Sequence, residues 1–213
     1  MANVDLISKE VVVSAAVKMV KKEGWDSLNA RSIAKEIGVS TKPLYRLYVG
    51  MDEIKHDVYE EIYKQYDEFV NKRVYNKNAL VTLCVAYVEF ANENNNLFKC
   101  LFLSNNLKWK SIDDVLNEKW NQSTIINLVN KFGYTFEDAK NLFMHVWLYA
   151  NGLATLVATN KIKIDSKDII KRIIKIYKEV AKNWRLLFNL RYLLILLQFL
   201  FRLQPPCLRN QRN

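Results

Sequence analysis

Four side chains set close together are the best equipped in this sequence to recognise another molecule: Thr41, Lys42, Tyr45 and Arg46. Each donates hydrogen bonds and two are cationic, which suits gripping the phosphates and base edges of a nucleic acid. They belong to a short run predicted as helix over 41–48, in which Leu44 with Leu47 or Tyr48 supplies an apolar pair to lock it down. Just before it stands Gly38-Val39-Ser40: a glycine for a tight turn, an apolar residue to tuck inward and a hydroxyl to cap the next helix. Ala34, small enough for a second helix to approach, completes what a helix-turn-helix requires.

Bond-breaking chemistry finds no comparable constellation. The sequence contains no GxGxxG, P-loop, HExxH or GxSxG motif. His56 and His145 fall on different predicted helices, and His145 reads either as a hydrogen-bonded core histidine or as a ligand contact. Asp113-Asp114 and Glu60-Glu61 read as solvated faces or helix starts. Cys84, Cys100 and Cys207 are odd in number and lack CxxC spacing, which argues against a disulfide framework or a zinc site. Cys84 and Cys100 suit small buried hydrophobes, with redox sensing as the alternative. No catalytic residue, metal ligand or cofactor is expected. The cysteine usage fits a reducing cytoplasm, and Met1–Lys9 holds no apolar stretch of the kind a signal peptide needs.

The elements that must position the donor helix follow from composition. With 213 residues, 50% hydrophobic and 25% charged, the chain can bury a core and is not disordered. Five glycines and three prolines are too few for the turns of an all-β fold, and residues 44–204 contain no proline. The expectation is an all-α protein. Predicted helices cover Ser8–Glu23, Ala30–Ile37 capped by Asn29, Thr41–Tyr48 with Pro43 in its first turn, and Asp52–Asn71, followed by runs near 79–93, 96–104, 111–132, 135–159 and 166–188. Gly24, Gly38, Gly50 and Gly133 each follow such a run, where a terminating glycine belongs. The run 135–159 is apolar around nearly its whole circumference, which suits either the centre of a bundle or a subunit interface.

The net charge is +10, pointing to a polyanionic partner. It is unevenly spread: residues 185–213 hold five arginines and neither lysine nor acid, whereas residues 1–50 hold eight basic and five acidic side chains. The tail reads as a segment foreign to the fold or as a basic membrane-surface anchor, and its charge-free stretch 192–201 is too short to span a bilayer. In the middle of the chain Tyr87, Phe90, Phe98, Phe102, Trp109, Trp120, Phe132 and Tyr149 form an aromatic set that reads as core or as the lining of a pocket of a few hundred Å³.

The stretch Gly24-Trp25, then Asn29-Ala30-Arg31-Ser32-Ile33-Ala34-Lys35-Glu36-Ile37-Gly38-Val39-Ser40-Thr41-Lys42-Pro43-Leu44-Tyr45-Arg46-Leu47-Tyr48, resembles the DNA-binding domain of the TetR family of bacterial transcriptional repressors. The likeness runs from about Ser8 to Val58. Residues 143–159 are similar to the penultimate helix of one TetR subgroup, keeping Trp147 and Gly152, with Asn151 where that subgroup has histidine. The resemblance implies DNA contact by Arg31, Ser40, Thr41, Lys42, Pro43, Tyr45, Arg46, Tyr48 and Lys55. Leu47 and Met51 stand where the family often has His and Lys, and Lys42 and Lys55 are the substitutes for their phosphate contacts. It also implies a helix-turn-helix domain over 1–50 and a regulatory and dimerisation domain over 51–184. The homodimer would form through helices at 135–159 and 166–184 and read a pseudo-palindromic duplex operator. A small apolar or aromatic effector would meet Tyr87, Phe98, Phe102, Trp109, Trp120, His145 and Tyr149 and release the operator. The rival readings are a helical-bundle enzyme or carrier using the aromatic cavity, and a peripheral membrane protein held by the tail.

Overall fold

A computed structural model describes residues 7–73, 76–105, 109–160 and 162–182. The tail 185–213, with Trp184 and Cys207, lies outside the described residues. Among them the regular structure is helical throughout: α1 Lys9–Glu23, α2 Ala30–Ile37, α3 Leu44–Leu47, α4 Met51–Asn71, α5 Ala79–Glu93, α6 Asn95–Phe102, α7 Ile112–Asn117, α8 Lys119–Phe132, α9 Phe136–Asn160, and α10 over 166–182.

Local chemistry starts four of these helices where the sequence places a capping oxygen. The Ser8 side chain accepts from the Val11 N–H, Asn29 from Ser32, Asn78 from Leu80 and Val81, and Ser111 from Asp114. Each satisfies a donor that a helix start leaves without an intrahelical partner. Three expectations need correction. The helix predicted over 41–48 is regular only from Leu44 to Leu47, although the Tyr45 N–H already reaches the Thr41 carbonyl at 3.4 Å. The run 111–132 is two helices, broken at Glu118, whose ψ of 135° leaves the helical region. Gly50 opens α4 in extended geometry and does not close the preceding helix.

α5 is the core's axis. Leu80, Val81 and every residue from Leu83 to Ala91 are buried, so it has no solvent face; α4, α6, α8 and α9 pack around it. Of the two places the sequence offers 135–159, the centre of the bundle is therefore taken by α5. The helix of that run, α9, buries only one side, through Leu142, Phe143, Val146, Trp147, Ala150, Ala154 and Val157. Its other side leaves Leu148 (50%), Tyr149 and Leu156 (53%) exposed. α9 is long and apolar enough to cross a membrane by length and composition, yet 44% of its most apolar stretch is buried inside the fold. α10 docks by burying Ile169 and Ile173 completely. Asn92 fastens the connection into it, donating to the Ile164 carbonyl at 2.9 Å and accepting from the Ile164 N–H at 3.3 Å.

At the far end of α4, Arg73 lies 3.3 Å above the Phe69 ring and pairs with the buried Glu89 at 3.4 Å and with Glu93 at 3.3 Å. A buried carboxylate is tolerated only with such a partner, so this group fixes the end of α4 on α5.

Candidate functional site

The first candidate site is built by the turn between α2 and α3. Asn29 and Ser32 exchange reciprocal bonds at the start of α2, the side chain of each accepting from the other's N–H, at 2.9 and 3.2 Å. At its end Gly38 takes the left-handed conformation (φ 83°, ψ 31°). The Gly38 N–H then reaches the Lys35 carbonyl at 3.1 Å and the Val39 N–H the Ala34 carbonyl at 2.9 Å. This double closure satisfies two end carbonyls and throws the chain across the helix axis. Buried Ala34 lets the turn pack closely. Leu44, fully buried in the same core as Val12, Ala16, Ile33 and Ala34, then anchors α3; its truncation to alanine would cost about 2–5 kcal/mol.

Pinning one side of α3 presents the other. Ser40, Lys42, Tyr45 (53%) and Arg46 are exposed and Thr41 is half-exposed, with Arg31 exposed at the first turn of α2. The structure therefore brings six of the nine sequence-assigned DNA contacts onto the surface of the helix-turn-helix. Three do not join them. Pro43 is buried beside Leu44. Tyr48 is 2% exposed, with Lys9 Nζ 4.5 Å over its ring. Burial and the nearby Asp57 and Glu53 carboxylates push its hydroxyl well above the ordinary range. Lys55 is half-buried and lines a groove with Trp25, Asn96 and Lys99, on the side of α6. The apolar lock thus consumes Pro43 and Tyr48, whose side chains the sequence had counted as contacts.

A latch joins this module to α4. Lys9 Nζ and Glu53 Oε1 lie 2.7 Å apart, and Glu53 Oε2 accepts from the Val49 N–H at 2.9 Å. The pairing holds the Glu53 carboxyl below, and the Lys9 ammonium above, their ordinary ranges. Both side chains are substantially exposed, so the latch orients more than it stabilises. Asn96 adds a second tie, donating to the Lys21 carbonyl at the end of α1 at 3.1 Å.

The second candidate site is the aromatic interior. Tyr66 of α4 stands edge-on to Phe90 and Phe102 at 5.1 and 5.0 Å between ring centres. Tyr87 lies 5.0 Å from Phe98 and 5.1 Å from Phe102, and Trp109 lies 5.8 Å from Phe102 and 5.9 Å from Trp147. The edge-to-face pairs among them, Tyr66 with Phe90 and Phe102, Tyr87 with Phe98 and Trp109 with Trp147, each add about 0.5–1.5 kcal/mol beyond burial. The rings fill the space themselves: the cavity among Tyr66, Tyr87, Trp109, Trp120 and Trp147 is only about 20 Å³, and a neighbouring one, walled by Tyr59, Tyr63, Phe102 and Trp109, is about 210 Å³. A larger groove of about 770 Å³ between α1 and α4 is open and lined by charged side chains, unsuited to burying an apolar guest.

The expected effector contacts divide accordingly. Tyr87, Phe102, Trp109 and Trp120 line the cavities. Phe98 is fully buried core. His145 is exposed and bonded through Nδ1 to the Asn141 carbonyl at 2.7 Å, and Tyr149 is exposed on the same side of α9. Neither is core nor cavity wall, and exposed Phe132 belongs to neither group. Sequence reasoning missed Tyr59 and Tyr63, a second stripe beside the Tyr66 face of α4, and Glu118, hidden by reading 111–132 as one helix. Asn151 accepts from the Tyr87 hydroxyl at 2.9 Å, tying α9 to α5. Burial pushes the Tyr59 hydroxyl to about 12 and those of Tyr63 and Tyr66 higher, and raises the Cys100 thiol to about 12 and Cys84 further, so these groups stay neutral near pH 7.

No protein-family model and no curated protein sequence matches the chain. Solved structures do. A protein from Rhodococcus sp. described as a TetR-family transcriptional regulator superposes with a TM-score of 0.57 at 15% identity, over 81% of this chain and 97% of that one. A protein from Pseudomonas aeruginosa PAO1 described as a transcriptional regulator gives 0.57 at 14% identity, over 84% of this chain and 94% of that one. The chain shares the fold of these regulators almost from end to end of theirs.

Proposed function

We propose that the chain is a DNA-binding transcriptional regulator working in the cytoplasm, a repressor released from its operator by a small molecule. One observation carries this reading: on a helix-turn-helix, Ser40, Lys42, Tyr45 and Arg46 are exposed and Thr41 is half-exposed, while Leu44 among them is fully buried. A structural strut would bury these side chains; a reader of duplex DNA must display them. α3 enters the major groove, with Lys42 at a base edge or phosphate and Thr41 and Tyr45 positioning on the backbone. Arg31 grips a phosphate alongside the first turn of α2.

A pseudo-palindromic operator requires two copies. The open apolar strip of α9, with the outward residues of α10, is the face through which two chains pack as a four-helix bundle, dividing each chain into a reading part over 1–50 and a sensing and dimerising part over 51–184. α4 connects the two functions. Its first turn carries the Glu53 latch and its later turns carry Tyr59, Tyr63 and Tyr66 into the aromatic interior. A guest that parts those rings must move α4, and with it the spacing of the two reading helices. Coupling of this kind is worth roughly 1–3 kcal/mol and is reciprocal, so operator weakens effector binding by the same factor.

The test is a gel-shift assay on genomic fragments flanking the protein's own gene. Specific retardation that persists after deletion of 185–213 supports the reading. Retardation of no fragment, with turnover of a bound compound, would replace it with a helical enzyme or carrier.

A further inference from the structure

An apolar effector would leave the carboxyl group of Glu118 in the aromatic interior without a counter-charge. Glu118 sits at the edge of the 210 Å³ cavity, accepting the Tyr63 hydroxyl at Oε1 (2.9 Å) and the Trp109 indole N–H at Oε2 (3.2 Å). Both oxygens are thus engaged, each by a neutral donor. Glu118 is the N-cap residue of α8, yet its side chain makes no capping bond and turns to the cavity. The α8 terminus offsets part of its charge. Among the described residues no lysine or arginine lines either cavity, and Glu118 pairs with no cation.

The walls matter as much as the charge. Tyr59, Tyr63, Leu101, Phe102 and Trp109 surround the space, with Glu60 as a second carboxylate on its lining, and aromatic faces carry the negative end of the ring quadrupole. A neutral guest would strip water from Glu118 and return no bond for it, and an anion would be repelled. A positive charge on an apolar body can meet the carboxylate and the aromatic walls together. At about 30 Å³ per water the cavity has room for about seven waters, the scale of a single-ring molecule.

We infer that the effector is an organic cation of about one ring, its charge held by Glu118 and its body by Phe102, Trp109 and the α4 tyrosines. The inference rests on the sensing role proposed above and narrows it to a chemical class.

The test uses the full chain and three matched probes: benzyltrimethylammonium, its neutral carbon isostere neopentylbenzene, and phenylacetate. Binding is followed by calorimetry and tryptophan fluorescence, and each probe is added to the operator complex. The expected result is that the cation binds at least about tenfold more tightly than the isostere, that Glu118→Gln removes most of this preference, and that the cation alone releases operator. Equal binding of cation and isostere by the wild type overturns the inference, and that comparison decides the matter even if the variant folds poorly. Operator release by neopentylbenzene but not by the cation also overturns it while leaving the sensing role intact. If no probe binds and none releases operator, both fall.

Discussion

Replacing Gly38 isolates what backbone geometry contributes to displaying the donor helix. The residue holds φ at +83°, and a Cβ added there would meet nothing within 4 Å. A β-carbon therefore carries no clash, and its cost is conformational. A non-glycine residue in the left-handed region loses roughly 1–2 kcal/mol, asparagine least and β-branched residues most. The expected order of destabilisation is Asn, then Ala near 1 kcal/mol, then Val at about 2–3 kcal/mol. In a chain of this size each kcal/mol is about 2–4 °C, so Gly38→Val should lower Tm by roughly 4–12 °C and Gly38→Asn by only a few degrees. Calorimetric melting with matched urea titrations measures the series. Gly38→Val melting with wild type, or asparagine proving as harmful as valine, would refute the placement of the turn.

Lys42→Ala and Tyr45→Ala should each weaken operator binding by roughly 1–3 kcal/mol per operator half with no change in melting, since both side chains are exposed; where Lys42 contacts phosphate, the salt slope of a dimer should fall by about two. Leu148→Glu or Leu156→Glu should convert a dimer to a folded monomer in sedimentation analysis, because each places charge on the open strip of α9 without touching the chain's own core. Burial raises the Asp67 carboxyl against the opposing bond from Trp120 Nε1. The folded chain then holds that proton more tightly than the unfolded one, so Asp67 adds stability as pH falls through its folded value and loses it as pH rises. Asp67→Asn should abolish this contribution and be relatively most stabilising at neutral pH, read by urea unfolding between pH 4 and 8.

Much of this could be read directly from residues. Asn29 and Gly38 announce the ends of α2 because capping is local chemistry. The donors Lys42, Tyr45 and Arg46 were legible because a helix-turn-helix needs its apolar lock at fixed offsets from them. The limits were tertiary. Nothing local distinguishes Tyr48 as a contact from Tyr48 as a plug beneath Lys9. α5 and α9 are both apolar all round, and only packing decides that α5 takes the centre while Leu148 and Leu156 of α9 stay outside. Glu118 was invisible because a one-residue break in an otherwise helical pattern leaves no periodic signal. Aromatic content announced the interior but not that the rings would close over it.

The central claim, that α3 is displayed to read duplex DNA in pairs, is tested most directly by selecting bound fragments from random-sequence DNA with the purified full chain. The account predicts enrichment of an inverted repeat whose half-sites lie at about one helical turn, or a multiple of it, centre to centre, and loss of that enrichment with Lys42→Ala and Tyr45→Ala combined. Recovery of no common sequence, or of one that the double variant enriches equally well, would contradict it.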